Sequence, residues 1–569
     1  MMNKNYFNTA GIMLTAVTFL GLYSCRTNDT EQSLQTGGVA SVKINVTGTD
    51  YAASTGISDA QASVKSIPGA NDNAIQRHGV MVTPSLLIET ELTPDNTTIG
   101  AQASAKLNTK ATIEGNPLGT GNQYRVIAYR KSDGAYVTHK DYTIGNPADG
   151  LTLDAGETYD LVAYSKGANA LSAISEGEMT NISNANLSLL WTPFIYQKQT
   201  ITPTDGNSTI NMTLRHKEAS ITTVITSYIG GITSIESPYL NPFYKTASAS
   251  LENNGVITTP DTAPSAYIGL TFPSGTSAVK TTGPMSFLPY PTGITGSFSA
   301  NITIGGTTKT LNLNNFFTAK AETRSTLNIN LRSCGAYLGP NQTKWTEFMC
   351  QNLGATAGID PFSPVAGNHG AKYQWGAQTG EAGRYYSQAN DQGNSGAISG
   401  WINYDSTKSN GNGKANGSWT GTQGGGTSNP CPAGYRIPTL EEGQNLVANN
   451  TIERVGTWAN SSTNYSTAIY FKNPQGLRTL MLSAVGYRNN VQDGGLYERG
   501  SVGRYWSSTI STTTGAYNLN FNSNTAYTND NARTSGFAVR CIKDNTSSAV
   551  NGGNTSWNSS GNINITTTY

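Results

Sequence analysis

The chain has 569 residues, more than one hydrophobic core commonly organises, so two to four domains are expected. Charged residues make up 12%, about half the usual share of roughly 25%, and Gly, Asn, Ser and Thr fill the gap, as short strands joined by polar turns require. The net charge of +1 sets up no global field toward nucleic acid, and no nucleic-acid partner is expected.

At the N-terminus, Lys4 precedes an apolar run from Ala10 to Tyr23, closed by Ser24 and Cys25. A basic start, a short apolar core and a small residue before the processing point make a secretory signal. The run is too short, and too broken by Thr and Gly, to read as a membrane span. Leu22-Tyr23-Ser24-Cys25 resembles a bacterial lipobox, although Tyr23 stands where a small residue is commoner. The resemblance implies removal of residues 1–24 and acylation of Cys25, hence a lipid anchor in the outer membrane at the cell surface. An ordinary signal peptide that happens to contain a Cys is the alternative. The polar residues up to 39 read as a tether. Four further cysteines, Cys334, Cys350, Cys431 and Cys541, all lie beyond residue 333, and an even number in an exported chain suggests disulfides.

From residue 40 the pattern is β. Val42, Ile44 and Val46 alternate with polar residues. Tyr124-Arg125-Val126-Ile127-Ala128-Tyr129 runs into Ser132-Asp133-Gly134 and then Tyr136-Val137, a hairpin signature with an Asp-Gly turn. Leu151-Thr152-Leu153 passes through Asp154-Ala155-Gly156 to Tyr159-Asp160-Leu161-Val162-Ala163-Tyr164. Ile210, Met212 and Leu214 alternate, as do Leu327, Ile329 and Leu331. No segment before residue 333 sustains a helical period, so β-sandwich packing is expected, with a boundary near residue 198 after Leu189-Leu190-Trp191.

These segments, together with Gly156-Glu157-Thr158-Tyr159 and Leu214-Arg215-His216-Lys217, resemble the fimbrillin-like family over roughly residues 40–332. Its members are exported Bacteroidetes pilus subunits and anchors. The resemblance implies two transthyretin-like β-sandwich domains, 40–197 and 198–332, and assembly with other pilus subunits by strand donation.

Beyond residue 333 the composition changes: seven of the eight Trp residues lie there. Cys431-Pro432-Ala433-Gly434-Tyr435-Arg436-Ile437-Pro438-Thr439-Leu440-Glu441-Glu442 reads as a strand entering a helix, and Thr439 with Glu442 has capping-box spacing. Trp345-Thr346-Glu347-Phe348-Met349-Cys350-Gln351-Asn352-Leu353-Gly354, Tyr373-Gln374-Trp375-Gly376, the Cys431–Thr439 run, Tyr505-Trp506-Ser507-Ser508 and Val539-Arg540-Cys541 resemble the Fibrobacter succinogenes major paralogous domain. That family is grouped with C-type-lectin-like folds, so an α+β domain is expected over 333–544, with a weakly ordered, low-complexity tail over 545–569. Within it, Cys431 is expected to pair with Cys541, leaving Cys334 for Cys350.

Residues for catalysis or metal binding are scattered. His78, His139, His216 and His369 form no ligand pattern and there is no Cys-x-x-Cys, so neither zinc nor iron is expected, and no cofactor. The Glu-Pro-Asn or Gln-Pro-Asp loop of sugar-binding C-type lectins is absent, and Thr528-Asn529-Asp530 lacks the Trp of their Trp-Asn-Asp strand; an unrelated loop calcium stays open. There is no Gly-x-Ser-x-Gly elbow. The Tyr435–Glu442 segment resembles formylglycine-generating enzymes, whose chemistry needs a pair of active-site cysteines, but fold likeness does not carry activity over, and no enzyme is expected. Gly421-Thr422-Gln423-Gly424-Gly425-Gly426 lacks the Lys-Ser or Lys-Thr of a phosphate loop. Of the tryptophans, Trp375, Trp458 and Trp506 read as core, whereas Trp401 and Trp419 flank loop sequence and are the expected contacts to a ligand.

The expected function is therefore surface adhesion, as a pilus-associated lipoprotein and tip adhesin whose C-terminal domain meets a host or bacterial glycan or protein. A lipid-anchored binding protein that never polymerises is the alternative, and an enzyme of the formylglycine-generating fold a third. Polymerisation requires the first strand, Val42-Lys43-Ile44-Asn45-Val46, to leave after a cut in the turn-forming segment 65–80. Related fimbrillins are cut after Arg or Lys, which makes Arg77 the expected site and Lys65 its alternative.

Overall fold

The computed structural model describes residues 38–52, 75–95, 112–190, 193–260, 263–288, 293–420, 427–544, 557 and 561–566. The signal segment, Cys25 and Lys65 lie outside the described residues. Those described are mainly β, and their two α-helices, Gln388–Gly393 and Leu440–Ala448, both fall beyond residue 333.

The first large sheet runs in the order Thr112–Glu114, Val39–Ala52, Gly206–His216, Ile195–Ile201, Tyr159–Ser165, Gln123–Arg130 and Tyr136–Thr143, with Leu151–Asp154 also paired to Val39–Ala52. Gly206–His216 and Ile195–Ile201 meet over only two residue pairs, Ile195 with His216 and Tyr196 with Arg215. The two halves of the sheet close over Val42, Ile44, Val126, Leu161, Met212 and Leu214. The other face of Gln123–Arg130 and Tyr159–Ser165 is covered by a small sheet of Asn186–Leu190, Thr246–Ser250 and Val256–Thr258. Those two strands are buried on both faces, which is why their sequences run apolar and aromatic without alternating. Val39–Ala52 is different: Val42 and Ile44 point inward while Lys43 and Asn45 are exposed, the period-2 signature of a strand with one wet face.

Two facing sheets form the next unit. One is Val279–Thr281, Ala219–Ser227, Arg324–Ser333, Leu86–Pro94 and Gln76–Thr83; the other is Ala266–Gly269, Ile232–Phe243, Ile294–Ile304, Thr307–Ala319 and Ile563–Thr566. Ile225, Leu240, Phe298, Leu311, Leu327 and Ile329 fill the space between them.

This arrangement departs from the expected boundary near residue 198. Gln76–Thr83 and Leu86–Pro94 pair in the second unit, while Ile195–Ile201 and Gly206–His216 belong to the first. Long-range pairing, which no local pattern encodes, interleaves the two halves. The tail expected to be weakly ordered also contributes structure. Ile563–Thr566 pairs in parallel with Leu311–Asn314, and Trp557 is fully buried in the second core with its Nε1–H donating to the Thr307 carbonyl at 3.0 Å. Asn562-Ile563-Asn564-Ile565 alternates as an edge strand should, with Ile563 inward and Asn564 bonded to Asn312 at 2.6 Å.

The region beyond residue 333 is a mosaic of short strands held by two disulfides, Cys334–Cys350 and Cys431–Cys541. Thr439 and Glu442 form the capping box at the start of Leu440–Ala448, and Arg436 clamps the same carboxylate at 2.8 and 2.7 Å. This region docks on the turn at Thr83–Ser85: Tyr435 Oη donates to Ser85 Oγ at 2.7 Å, Ser85 Oγ to Glu347 at 3.0 Å, and the Cys334 and Cys350 N–H groups to the Ser85 and Pro84 carbonyls. Arg332 adds a bond to Glu89 and another to the Arg478 carbonyl.

Candidate functional site

The strand Val39–Ala52 lies parallel to Gly206–His216, from Ala40 opposite Gly206 to Asp50 opposite Arg215. Its other edge meets Leu151–Asp154 near its start and Thr112–Glu114 near its end, both antiparallel. A parallel pair cannot be closed by a hairpin, so the strand is held to its neighbours by its ladder and its buried face and not by a tight turn. Ala40, Val42 and Ile44 are completely buried, each Val or Ile contributing about 1.5–3 kcal/mol of apolar burial. Tyr124 Oη also donates to the Ile44 carbonyl at 3.2 Å. Without this strand, Leu151, Leu153, Met212 and Leu214 would line a groove flanked by unpaired backbone, a template for another strand.

The far end of the strand is locked to the junction between the two β units. Asp50 takes a bidentate pair from Arg215, with Nη2 to Oδ2 at 2.9 Å, and Arg215 reaches Glu322 at 3.5 Å. His216 Nδ1 donates to Glu218 at 2.6 Å, and its Nε2 lies 3.1 Å from Thr49 Oγ1. The Leu214–Lys217 motif thus holds the end of the first strand where the chain crosses from one unit to the next.

Arg77 is not in an exposed loop, contrary to the expectation for segment 65–80. It is the second residue of the strand Gln76–Thr83, sits opposite Glu91 and pairs with its carboxylate at 2.7 Å. The Val80-Met81-Val82 run that follows pulls this stretch into the second unit. Its side chain stays 58% exposed, so the guanidinium is accessible while the backbone is paired.

Trp401 and Trp419 are likewise not surface contacts. Trp419 is fully buried, donates Nε1–H to the Ala377 and Ser428 carbonyls and packs on Trp375. Trp401 is 5% exposed, pressed against Gly494 and Gly536, where a Cβ would come within 2.8 and 2.9 Å of the indole. Loop sequence here folds inward over large anchors, and the glycines facing the ring are the trace of that packing. Among the described residues no three His, Cys, Asp or Glu side chains are grouped as metal ligands. Asp530 of Thr528-Asn529-Asp530 accepts from Ser511 Oγ at 3.2 Å.

Two cavities stand out among the described residues. A small one of about 30 Å³ lies under the helix Leu440–Ala448, lined by Phe348, Leu446, Leu482, Tyr505 and Leu519. A cleft of about 370 Å³ lies where the C-terminal region meets the second unit, between Met81–Pro84 and Met349–Ala355. Its amide side chains already serve the fold: Gln351 donates to Thr356, Ile359 and Asn368, and Asn352 to the His369 carbonyl. Sequence reasoning missed this junction, because nothing local in Pro84-Ser85 announces a distant Tyr435.

Residues 440–542, from the capped helix to the residue after Cys541, match the family described as a domain of unknown function, DUF8237. No curated protein matches the chain. Similar solved structures include a candidate cell adhesion protein from Bacteroides fragilis, at 12% identity and a TM-score of 0.29, covering 51% of this chain and 92% of that one. Another from Bacteroides ovatus has 12% identity and a TM-score of 0.27, covering 39% and 89%. A fimbrial assembly protein from Parabacteroides distasonis has 11% identity and a TM-score of 0.24, covering 37% and 88%.

Proposed function

We infer that this chain is a cell-surface adhesion protein of the fimbrillin type, exported and anchored in the outer membrane through Cys25. Residues 334–544 form the head that meets a glycan or protein ligand. The observation that carries the assembly part is the first strand: Val39–Ala52 lies parallel to its main neighbour, so a cut after it would leave it held by noncovalent contacts alone. A strand from a neighbouring subunit could then replace it, with backbone hydrogen bonds supplying affinity and the buried alternate side chains supplying register. Cleavage at Arg77 requires Gln76–Thr83 to unpair first; Lys65 is the alternative site.

A second reading, a lipid-anchored binder that does not polymerise, is favoured by the lock on the strand's far end, where Asp50 and Arg215 hold it to the junction. N-terminal sequencing of protein isolated from the cell surface separates the two. Assembly predicts a mature species that begins after Lys65 or Arg77 and binds an added donor-strand peptide. Material that always begins at a lipidated Cys25 means that the chain stays whole. The mature chain on a glycan array tests the head; with Trp401 and Trp419 buried, their substitution is expected to unfold the domain and not to remove binding selectively.

A further inference from the structure

Asp391 stands at the centre of three cations. Lys372 Nζ donates to its Oδ2 at 3.1 Å, Arg488 Nε to Oδ1 at 2.7 Å and Arg499 Nη2 to Oδ2 at 2.6 Å. All four side chains are at most 1% exposed. A single carboxylate therefore answers three buried positive charges, and the charges acting on it are those three cations. Uncompensated charge away from water costs far more than a hydrogen bond returns, so buried charges are paired or bind an ion.

The three cations are not equally compensated. Arg488 is fully solvated by the backbone: its remaining N–H groups donate to the carbonyls of Gly396, Gly494, Asp391 and Asn394. Arg499 donates to the Ser462 and Asp391 carbonyls and to Tyr465 Oη, but its buried Nε has no hydrogen-bond partner among the described residues. Lys372 carries three donors and Asp391 takes one of them. Burial pulls the Lys372 ammonium down to about 8 while Asp391 holds it up, so it remains charged at neutral pH. Beside them lies His369, 1% exposed, with neither ring nitrogen hydrogen-bonded. Burial first, then Lys372 and Arg499, push its pKa down to about 3 and keep the ring neutral, while the Tyr465 backbone opposes this weakly without reaching hydrogen-bond geometry. What Lys372, Arg499 and the one N–H of the neutral His369 ring lack is negative charge and acceptors, and Lys372 and Arg499 already share the oxygen Asp391 Oδ2.

We propose that Lys372, Arg499 and His369 form a buried site for a small monoatomic anion, a halide, which in solution is chloride. A halide accepts from every direction and supplies the missing charge; a water molecule would bring two donors of its own into a place already rich in them. The site is enclosed, its charged side chains at most 1% exposed and the rings of Tyr386 and Tyr465 lying over Arg488 and Arg499 at 4.9 and 5.0 Å, which favours the smallest anion. The ion would tie the strand Lys372–Gln374 and the His369 turn before it to the segment around Arg499, while Asp391 holds the same two cations from the helix Gln388–Gly393.

The test uses the mature chain crystallised in bromide and melted in chloride against gluconate at constant ionic strength. The expected results are an anomalous bromide peak within hydrogen-bond reach of Lys372 Nζ, and a Tm that rises with chloride concentration, because a ligand that binds only the folded state raises stability by mass action. Lys372→Met should lose the peak and the chloride dependence together. If that variant does not fold, the bromide peak in the unaltered chain decides. A position filled by water alone, or bromide confined to the surface, overturns the proposal.

Discussion

Tyr51 lies flat on the imidazole of His216, ring centroids 4.2 Å apart and planes inclined by 6°. Tyr51 is the penultimate residue of the first strand and His216 ends its parallel neighbour, so the stack clasps the two at the point where the chain enters the second β unit. Arg324, from that second unit, lies 5.6 Å over the same tyrosine ring. Because Tyr51 is 4% exposed, Tyr51→Ala should cost about 3–5 kcal/mol, in the range of a large aromatic lost from a core. Hydrogen exchange should then quicken along 39–52 and 206–216, whereas Lys43→Ala, on the wet face, should leave both unchanged. Equal protection in the two variants would deny the clasp a role in holding the strand.

Alkali should weaken the fold through its buried phenols. Burial first, and then Glu218, push Tyr51 up to about 12; burial and the neighbouring Tyr124 do the same for Tyr142, and burial for Tyr505. A raised folded pKa favours the neutral phenol, so this stability is complete below the unfolded value of 10.0 and is lost as pH climbs toward about 12. Tyrosinate absorbance should appear in step with loss of tertiary structure above pH 10. Ionisation of Tyr51, Tyr142 or Tyr505 at an ordinary pKa in the folded protein, read ring by ring through Tyr→Phe variants, would contradict this.

Asp391→Asn should be among the most damaging single changes in the C-terminal region. It leaves three buried cations without their carboxylate, and breaking a buried pair costs about 3–5 kcal/mol. Burial alone would raise the Asp391 pKa, but Lys372, Arg488 and Arg499 outweigh it and hold it at about 2. Its contribution is present above the unfolded value of 3.8 and fades as pH falls toward about 2. Chemical denaturation from pH 5 to pH 2 reads this out, with Asp149→Asn, at a carboxylate that is 86% exposed, as the control.

The Cys431–Cys541 bond closes a span of 110 residues, for which a chain-entropy treatment gives about 4–5 kcal/mol against the reduced, unfolded chain. Non-reducing peptide mapping should recover Cys431 with Cys541 and Cys334 with Cys350. Cys431→Ala with Cys541→Ala should lower the Tm well beyond the loss of the 16-residue span at Cys334–Cys350. Free thiols in protein folded under oxidising conditions would refute the pairing.

Truncation after Asp544 should uncover Thr307–Ala319. The loss of Trp557 and Ile563 from the second core lowers stability by roughly 3–5 kcal/mol, the cost of a buried Trp. The freed edge should self-associate, which light scattering would register. A truncated chain as stable and as monomeric as the whole would show the terminal strand to be dispensable.

What could be read in advance was what is local. Thr439 and Glu442 announce their helix from three residues apart, and Asp133-Gly134 announces its turn, with Gly134 in the left-handed region at φ 70°. Pairing across long separations could not be read. Leu86–Pro94 lies beside Arg324–Ser333, with nothing in either sequence to name the other. The alternation at 562–565 was visible, but the Asn, Ser and Thr around it pointed to a solvated tail. Trp401 and Trp419 misled for the converse reason: polar, glycine-rich surroundings suggest a surface, yet Gly494 and Gly536 press on Trp401, and Trp419 packs on Trp375 and donates to Ala377 and Ser428.

The direction of the first strand bears on how the protein meets force. A pull on the N-terminal end of Val39–Ala52 runs along the strand axis, so the bonds to Gly206–His216 and Leu151–Asp154 are sheared together and not opened one after another as in a peeled hairpin. At the other end, the C-terminal region is fastened twice to the second β unit, through Arg324–Ser333 and through Ile563–Thr566. Tension arriving there is divided between a central strand and an edge strand. Resistance to such a load is set by the rate at which the ladders yield and not by the depth of the equilibrium.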